Sequence, residues 1–144
     1  MDLLLDTHIV IWMATAPKRI PKRLLAAIES TNKRFVSHAT ALEVQLKHLK
    51  NEKLFPFSLH HLEEVMKGFS CTELPITYND IRSIGEMQAL HQDPFDRLLM
   101  AQASNRSVYL ATLDQDILRY FHKDKAFSVF ADQAMRSSRQ QPKQ

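Results

Sequence analysis

Short apolar runs and longer amphipathic stretches alternate along this chain, a pattern that predicts strands and helices in turn. Leu3, Leu4 and Leu5 form a continuous apolar run closed by Asp6, which reads as a strand buried on both faces with a carboxylate at its C-terminal end. Residues 7–13 (THIVIWM) are rich in β-branched side chains and could prolong that strand. Asp6 or Thr7 equally suits an N-cap, and a short helix is the favoured reading. Pro21 opens a helix with Leu24, Leu25 and Ile28 on one face and Lys22, Arg23 and Glu29 on the other. Residues 34–37 then predict a second strand running into a helix from about Ala39 to Leu49, with Ser37 as its cap. Ala39, Leu42, Leu46 and Leu49 make the apolar stripe of that helix. Glu43 lies at the stripe's edge, where it either faces the end of the sheet or pairs in solvent with Lys47 at i+4.

Pro56 and Ser58 precede a helix with Leu59, Leu62, Met66 and Phe69 as its buried face, ending near Gly68. Residues 72–76 predict a third strand, and Thr77 with Asp80 has the form of a capping box opening a helix that carries Ile81, Ile84 and Leu90. The stretch HQDPFDRLLMAQA, residues 91–103, is the most informative. Asp93 suits an N-cap, Pro94 the first helical position and Asp96 the third, where a carboxylate meets unpaired backbone N–H groups. Only Arg97 and Gln102 interrupt the apolar residues that follow, so this helix is expected to pack against a sheet. Residues 107–112 predict a fourth strand ending within two residues of Asp114, which repeats the placing of Asp6. Asp114 suits the cap of a helix over residues 115–121, with Asp116 in its first turn. Residues 127–130 predict a last strand. The expected organisation is one domain over residues 1–132 and a flexible, basic tail over 133–144.

Composition narrows the chemistry. The 144 residues are 44% hydrophobic, enough for one well-buried core. A single cysteine, Cys71, excludes an internal disulfide framework, and the two glycines, Gly68 and Gly85, exclude a Gly-rich dinucleotide loop or P-loop. There is no secretory leader and no apolar run of about 18 residues, so the chain is expected to be intracellular, cytoplasmic and without a membrane partner. The net charge is +3, with the surplus in residues 1–53, a weak indication of a polyanionic partner. His60 and His61 point about 100° apart on a helix and make a poor zinc pair.

Strand, helix, strand, helix in repetition implies an α/β fold, a mostly parallel sheet with helices on both faces. Sites in such sheets lie beyond the C-terminal strand ends, at a topological switch point. Asp6 and Asp114 fall at strand ends, while Asp93, Asp96 and Glu43 lie on helices that start at the same rim. Each acid can be explained singly as a cap or a surface pair. Together they repel, and the ordinary remedy is a hard divalent cation, Mg²⁺ or Mn²⁺. Carboxylate-held Mg²⁺ points to metal-assisted phosphodiester hydrolysis.

The segments LLLDTHIVIW, SHATALEVQLK, HQDPFDRLLMAQA and LATLDQDI resemble those of the PIN-domain ribonucleases, specifically the VapC-like toxins of toxin–antitoxin pairs. The resemblance spans about residues 1 to 130, and DPFDRLLMAQA is its most specific part. It implies a five-stranded parallel sheet ordered 3-2-1-4-5 and an RNA-cleaving metal site built from Asp6, Glu43, Asp96 and Asp114, with Asp93 and Asp116 as weaker candidates. It further implies an RNA substrate, a homodimer and a small cognate antitoxin. Leu42 stands where relatives often carry Trp, and His38 where they carry a small residue. Two other readings compete: a catalytically silent PIN-like module that binds RNA or protein, and a phosphate-accepting receiver domain. The receiver fits poorly because Asp6 lacks an adjacent acid and no strand ends in a lone Lys.

Overall fold

Leu3, Leu4 and Leu5 are completely buried, and the strand they form, β1 (Asp2–Leu5), is the centre of the sheet. In the computed structural model, which describes residues 1–87, 93–123 and 128–129, four further strands join it: β2 (Lys33–Ser37), β3 (Thr72–Leu74), β4 (Tyr109–Ala111) and β5 (Ser128–Val129). All neighbours are parallel, in the order β3-β2-β1-β4-β5, as the resemblance implied. Strand β3 is shorter than expected and stops at Leu74, because Pro75 has no N–H to continue the ladder. The chain builds outward from β1 to β2 and β3, then crosses back to β4. The order therefore reverses beside β1, and the C-terminal ends of β1 and β4 flank the switch point. Residues 127, 130 and 133–144, which bear on the expected last strand and tail, lie outside the described residues, as does Leu90.

Seven helices are described: α1 (Thr7–Thr15), α2 (Lys22–Ser30), α3 (His38–Lys50), α4 (Leu59–Gly68), α5 (Tyr78–Glu86), α6 (Pro94–Arg106) and α7 (Gln115–Lys123), with a 3-10 turn at Pro17–Arg19. The period of two along β1 sends its leucines to opposite faces. Leu3 and Leu5 pack with Ile9, Val10, Leu24, Ile28 and Leu62 of α1, α2 and α4, whereas Leu4 packs with Leu99, Met100 and Ile117 of α6 and α7. Gln102, a polar interruption in the sequence of α6, is fully buried, and its Nε2 donates to the Pro75 carbonyl at 3.1 Å. It satisfies the backbone where β3 ends. Among the described residues no helix is long and apolar enough to cross a membrane.

Helix α3 corrects the expected stripe. Leu42, Leu46 and Leu49 are 49%, 50% and 66% exposed, while Ala39, Thr40, Glu43 and Val44 are buried. The cause is close approach: the short Ala39 and Thr40 side chains let α3 come near α1, with Thr40 Oγ1 3.1 Å from Thr7 Oγ1, and the leucines turn outward. Ile81 of α5 is likewise 52% exposed.

The capping box of α5 is present in full: Asp80 N donates to Thr77 Oγ1 at 3.2 Å and Thr77 N to Asp80 Oδ2 at 2.9 Å. Asp80 is also the fully buried anchor between α5 and α6. Arg106 grips both its oxygens, at 2.8 and 3.0 Å, and Asn105 Nδ2 adds a third donor at 3.0 Å. Burial alone would raise its pKa. The hydrogen bonds from Arg106, Asn105 and the Thr77 N–H outweigh it and hold the carboxyl well below the usual range. A lowered folded pKa contributes stability above the ordinary carboxylate value and loses it as pH falls. Asp80→Ala is therefore expected to cost about 3 kcal/mol in urea unfolding at neutral pH, and the gap between variant and wild type should narrow below about pH 4. A gap that is constant with pH would show that the ion pair is not its source.

Candidate active site

Asp6 follows β1 directly and holds the N-cap position of α1 with extended backbone, yet its side chain caps nothing. The carboxylate is 2% exposed. Oδ2 accepts a hydrogen bond from Thr112 Oγ1 at 2.7 Å, while Oδ1 is buried with no hydrogen-bond partner among the described residues. Burial pushes the Asp6 carboxyl up to about 6; Thr112, His8 and the nearby Thr7 N–H, which does not reach hydrogen-bond geometry, oppose that shift and the charge of Asp114 adds to it. The same Thr112 hydroxyl accepts from Asp114 N at 3.0 Å, so one buried side chain ties together the acids at the ends of β1 and β4.

Glu43 is also 2% exposed. Its Oε2 accepts from Lys47 Nζ at 2.7 Å, and its Oε1 is buried and unpartnered among the described residues. Both sequence readings of Glu43 thus hold in part, because it faces inward and pairs with Lys47. Lys47 is thereby a cation set directly against the acids. Burial alone would lower its pKa, but Glu43 first, then Asp93 and Asp96, raise it.

At the start of α6, Asp93 caps through Oδ1, accepting from Phe95 N at 2.9 Å and Asp96 N at 3.3 Å. Asp96, one turn inside, is buried and its carboxyl is pushed up to about 8, mainly by burial and then by the charges of Asp6, Asp93, Asp114 and Glu43. Asp114 caps α7, its Oδ1 accepting from Asp116 N at 2.9 Å and Ile117 N at 3.1 Å. Asp116 is exposed and pairs with Arg119. The structure therefore brings Asp6, Asp93, Asp114 and Glu43 close enough to Asp96 to act on its carboxyl, sets Asp6 and Asp114 within each other's field, and leaves Asp116 on the surface. Among the described residues no three His, Cys, Asp or Glu side chains stand as a formed ion cage. What the rim does offer is hard oxygen donors, two of them buried and unsatisfied, and that suits Mg²⁺ or Mn²⁺ rather than a softer metal.

A cleft of about 430 Å³ opens beside Asp6 and Asp114 and is also lined by His8, Trp12, Arg19 and Leu113. Sequence reasoning passed over His8, Trp12 and Arg19. The i, i+4 spacing of His8 and Trp12 on α1 was the one available signal. A second cavity, about 560 Å³ and largely apolar, lies between α1, α4 and residues 54–57, and holds none of the rim acids.

The model of the PIN domain family matches residues 3–123. The chain belongs to the PIN-domain family. No curated protein matches it in sequence. The PIN domain shares its fold with VapBC2 from Rickettsia felis, crystallised bound to a DNA fragment from its promoter, with TM-score 0.64, 15% identity, and coverage of 90% of this chain and 97% of the other. DNA-bound VapBC from Salmonella typhimurium gives TM-score 0.63 at 17% identity, covering 90% and 96%. FitAcB from Neisseria gonorrhoeae gives 0.56 at 22% identity, covering 89% and 96%.

Carboxyls raised on folding destabilise the metal-free PIN domain once they ionise. With folded values of about 6 for Asp6 and about 8 for Asp96, the contribution of these two groups to stability should be greatest below the ordinary carboxylate value and should fall as pH rises from about 4 to about 8. Asp96→Asn removes the larger contribution and is expected to melt about 5 °C higher than wild type at pH 8 in EDTA, with the difference shrinking as pH falls and little left below about pH 4. Equal melting temperatures at pH 8 would mean that Asp96 is not strained by its neighbours.

Proposed function

We propose that this PIN domain is a Mg²⁺-dependent endoribonuclease, the cytoplasmic toxin of a toxin–antitoxin pair, acting as a homodimer restrained by a small cognate antitoxin. One observation carries the reading: Asp6 Oδ1 and Glu43 Oε1 are buried at a rim of acids with no protein donor for either among the described residues, a state that costs stability unless a ligand satisfies them. Asp6, Glu43, Asp96 and Asp114 would hold the ion, with Asp93 in a lesser role and Asp116 less suited still. Mn²⁺ would serve in place of Mg²⁺. The bound ion supplies polarisation of the phosphodiester and a water activated for attack.

The chain's own residues prepare that chemistry. Thr112 fixes the orientation of Asp6, the first N–H groups of α7 fix Asp114, and Lys47 fixes Glu43. Asp96 carries its proton until its neighbours are neutralised, so ion binding should release protons near neutral pH. The family match and the likeness to VapBC and FitAcB chains support the toxin reading and a protein partner. Such a partner would fit by bringing a guanidinium to the rim, where bidentate carboxylate contacts replace those of the ion.

A silent binding module is the second reading, favoured by the lack of a formed ion cage among the described residues and by the hold of Lys47 on Glu43. A cleavage assay on RNA separates the two. Activity is expected with Mg²⁺ and not with EDTA, nearly lost in Asp6→Asn and Asp96→Asn, and only partly reduced in Asp93→Asn, which keeps a capping oxygen. Activity indifferent to EDTA, or no cleavage of any RNA by folded wild type, would sink the metal-dependent nuclease.

A further inference from the structure

His8 and Trp12 lie one turn apart on the outward side of α1, their rings tilted at 50° with centroids 5.9 Å apart. Pro17–Arg19 folds the chain back after α1, and the Arg19 guanidinium comes to rest over the Trp12 ring, 4.4 Å from its centroid. All three line the cleft that also holds Asp6 and Asp114. Arg19 and His8 are exposed and Trp12 is half-buried. Among the described residues that line the cleft, Arg19 and His8 are the basic side chains and Trp12 supplies the indole surface. An arginine that merely shields an indole from water explains the pair itself. It does not explain why the pair forms one wall of a cleft whose other wall is the acid rim.

The charges give that wall a task. Carboxylates at the rim repel a polyanion, so an RNA strand reaching Asp6 and Asp114 needs positive charge close by, and His8 stands near enough to Asp6 to act on its carboxyl. Aromatic rings and arginine planes are the surfaces on which unpaired bases stack, and paired bases in A-form RNA are closed to them. We propose that Trp12, Arg19 and His8 form a nucleotide subsite beside the acid rim, in which an unpaired base stacks on the Trp12–Arg19 shelf and its phosphate is met by Arg19 and His8. This rests on the nuclease reading, and it commits the substrate to single-stranded RNA at the nucleotide next to the cleaved bond.

Trp12 is the one tryptophan of the chain, so its emission reports on the shelf directly. The test uses the full chain carrying Asp6→Asn to prevent hydrolysis, with Mg²⁺, titrated with a single strand of RNA, its duplex, and a strand of equal length lacking bases. Retention of labelled RNA measures binding independently. The expected result is saturable quenching of Trp12 by the single strand alone, with Arg19→Ala weakening binding about tenfold. In the active protein Arg19→Ala should raise KM about tenfold and leave kcat near that of wild type. RNA binding that leaves Trp12 emission unchanged, equal quenching by the base-free strand, or unchanged affinity in Arg19→Ala would each overturn the subsite while the nuclease reading stands. Active wild type with no subsite signal therefore refutes this inference only, and wild type without cleavage refutes the nuclease reading. Arg19 is exposed, so its variant tests the shelf without unpacking the core, and Trp12→Phe, which keeps a ring, should retain most of the affinity.

Discussion

The bond from the Thr112 hydroxyl to the Asp6 carboxylate joins the two halves of the sheet at the place where their order reverses. Around it, β1 and β4 end level with each other, since Leu5 pairs with Ala111 and Asp6 N donates to the Ala111 carbonyl at 3.0 Å. A carboxylate buried there leaves one oxygen satisfied and the other not. The fold tolerates that cost because the leucines of β1 fill both faces of the sheet and because Asp80, gripped by Arg106 and Asn105 away from the rim, locks α5 to α6.

Much of this was legible in the sequence. The apolar run at residues 3–5, the Thr77–Asp80 box and the Asp93–Pro94 helix start are local signals, and the structure reproduces each. Asp6 illustrates the limit of such signals. It holds a cap position without capping, a distinction that depends on Thr112, far along the chain. On α3 hydrophobicity pointed to the wrong face, because close packing at Ala39, Thr40 and Val44 outweighed the pull of three leucines toward the core. Burial of Glu43 follows from that rotation. Arg19 was missed for a related reason: its i+7 spacing from Trp12 has meaning only along one continuous helix, α1 ends at Thr15, and it is the 3-10 turn that brings Arg19 back.

Lys47 and Asp96 show how the rim holds its charges when no cation is bound. Lys47 supplies a resident positive charge to Glu43, and burial, helped by the neighbouring charges, keeps the Asp96 carboxyl raised so that it holds its proton. Two different devices, an ion pair and a neutralised acid, thus reduce the same repulsion from opposite helices.

The span of the Thr112–Asp6 bond, 106 residues, has a consequence for the order of assembly. The acids at positions 6, 43, 96 and 114 come from distant parts of the chain, and the sheet pairs its first strand with its fourth. Such non-local pairing forms late and slowly. During synthesis the N-terminal segments emerge first, but the rim stays incomplete until β4 has been made and has docked beside β1. Whatever chemistry the rim performs is withheld from the growing chain by topology alone.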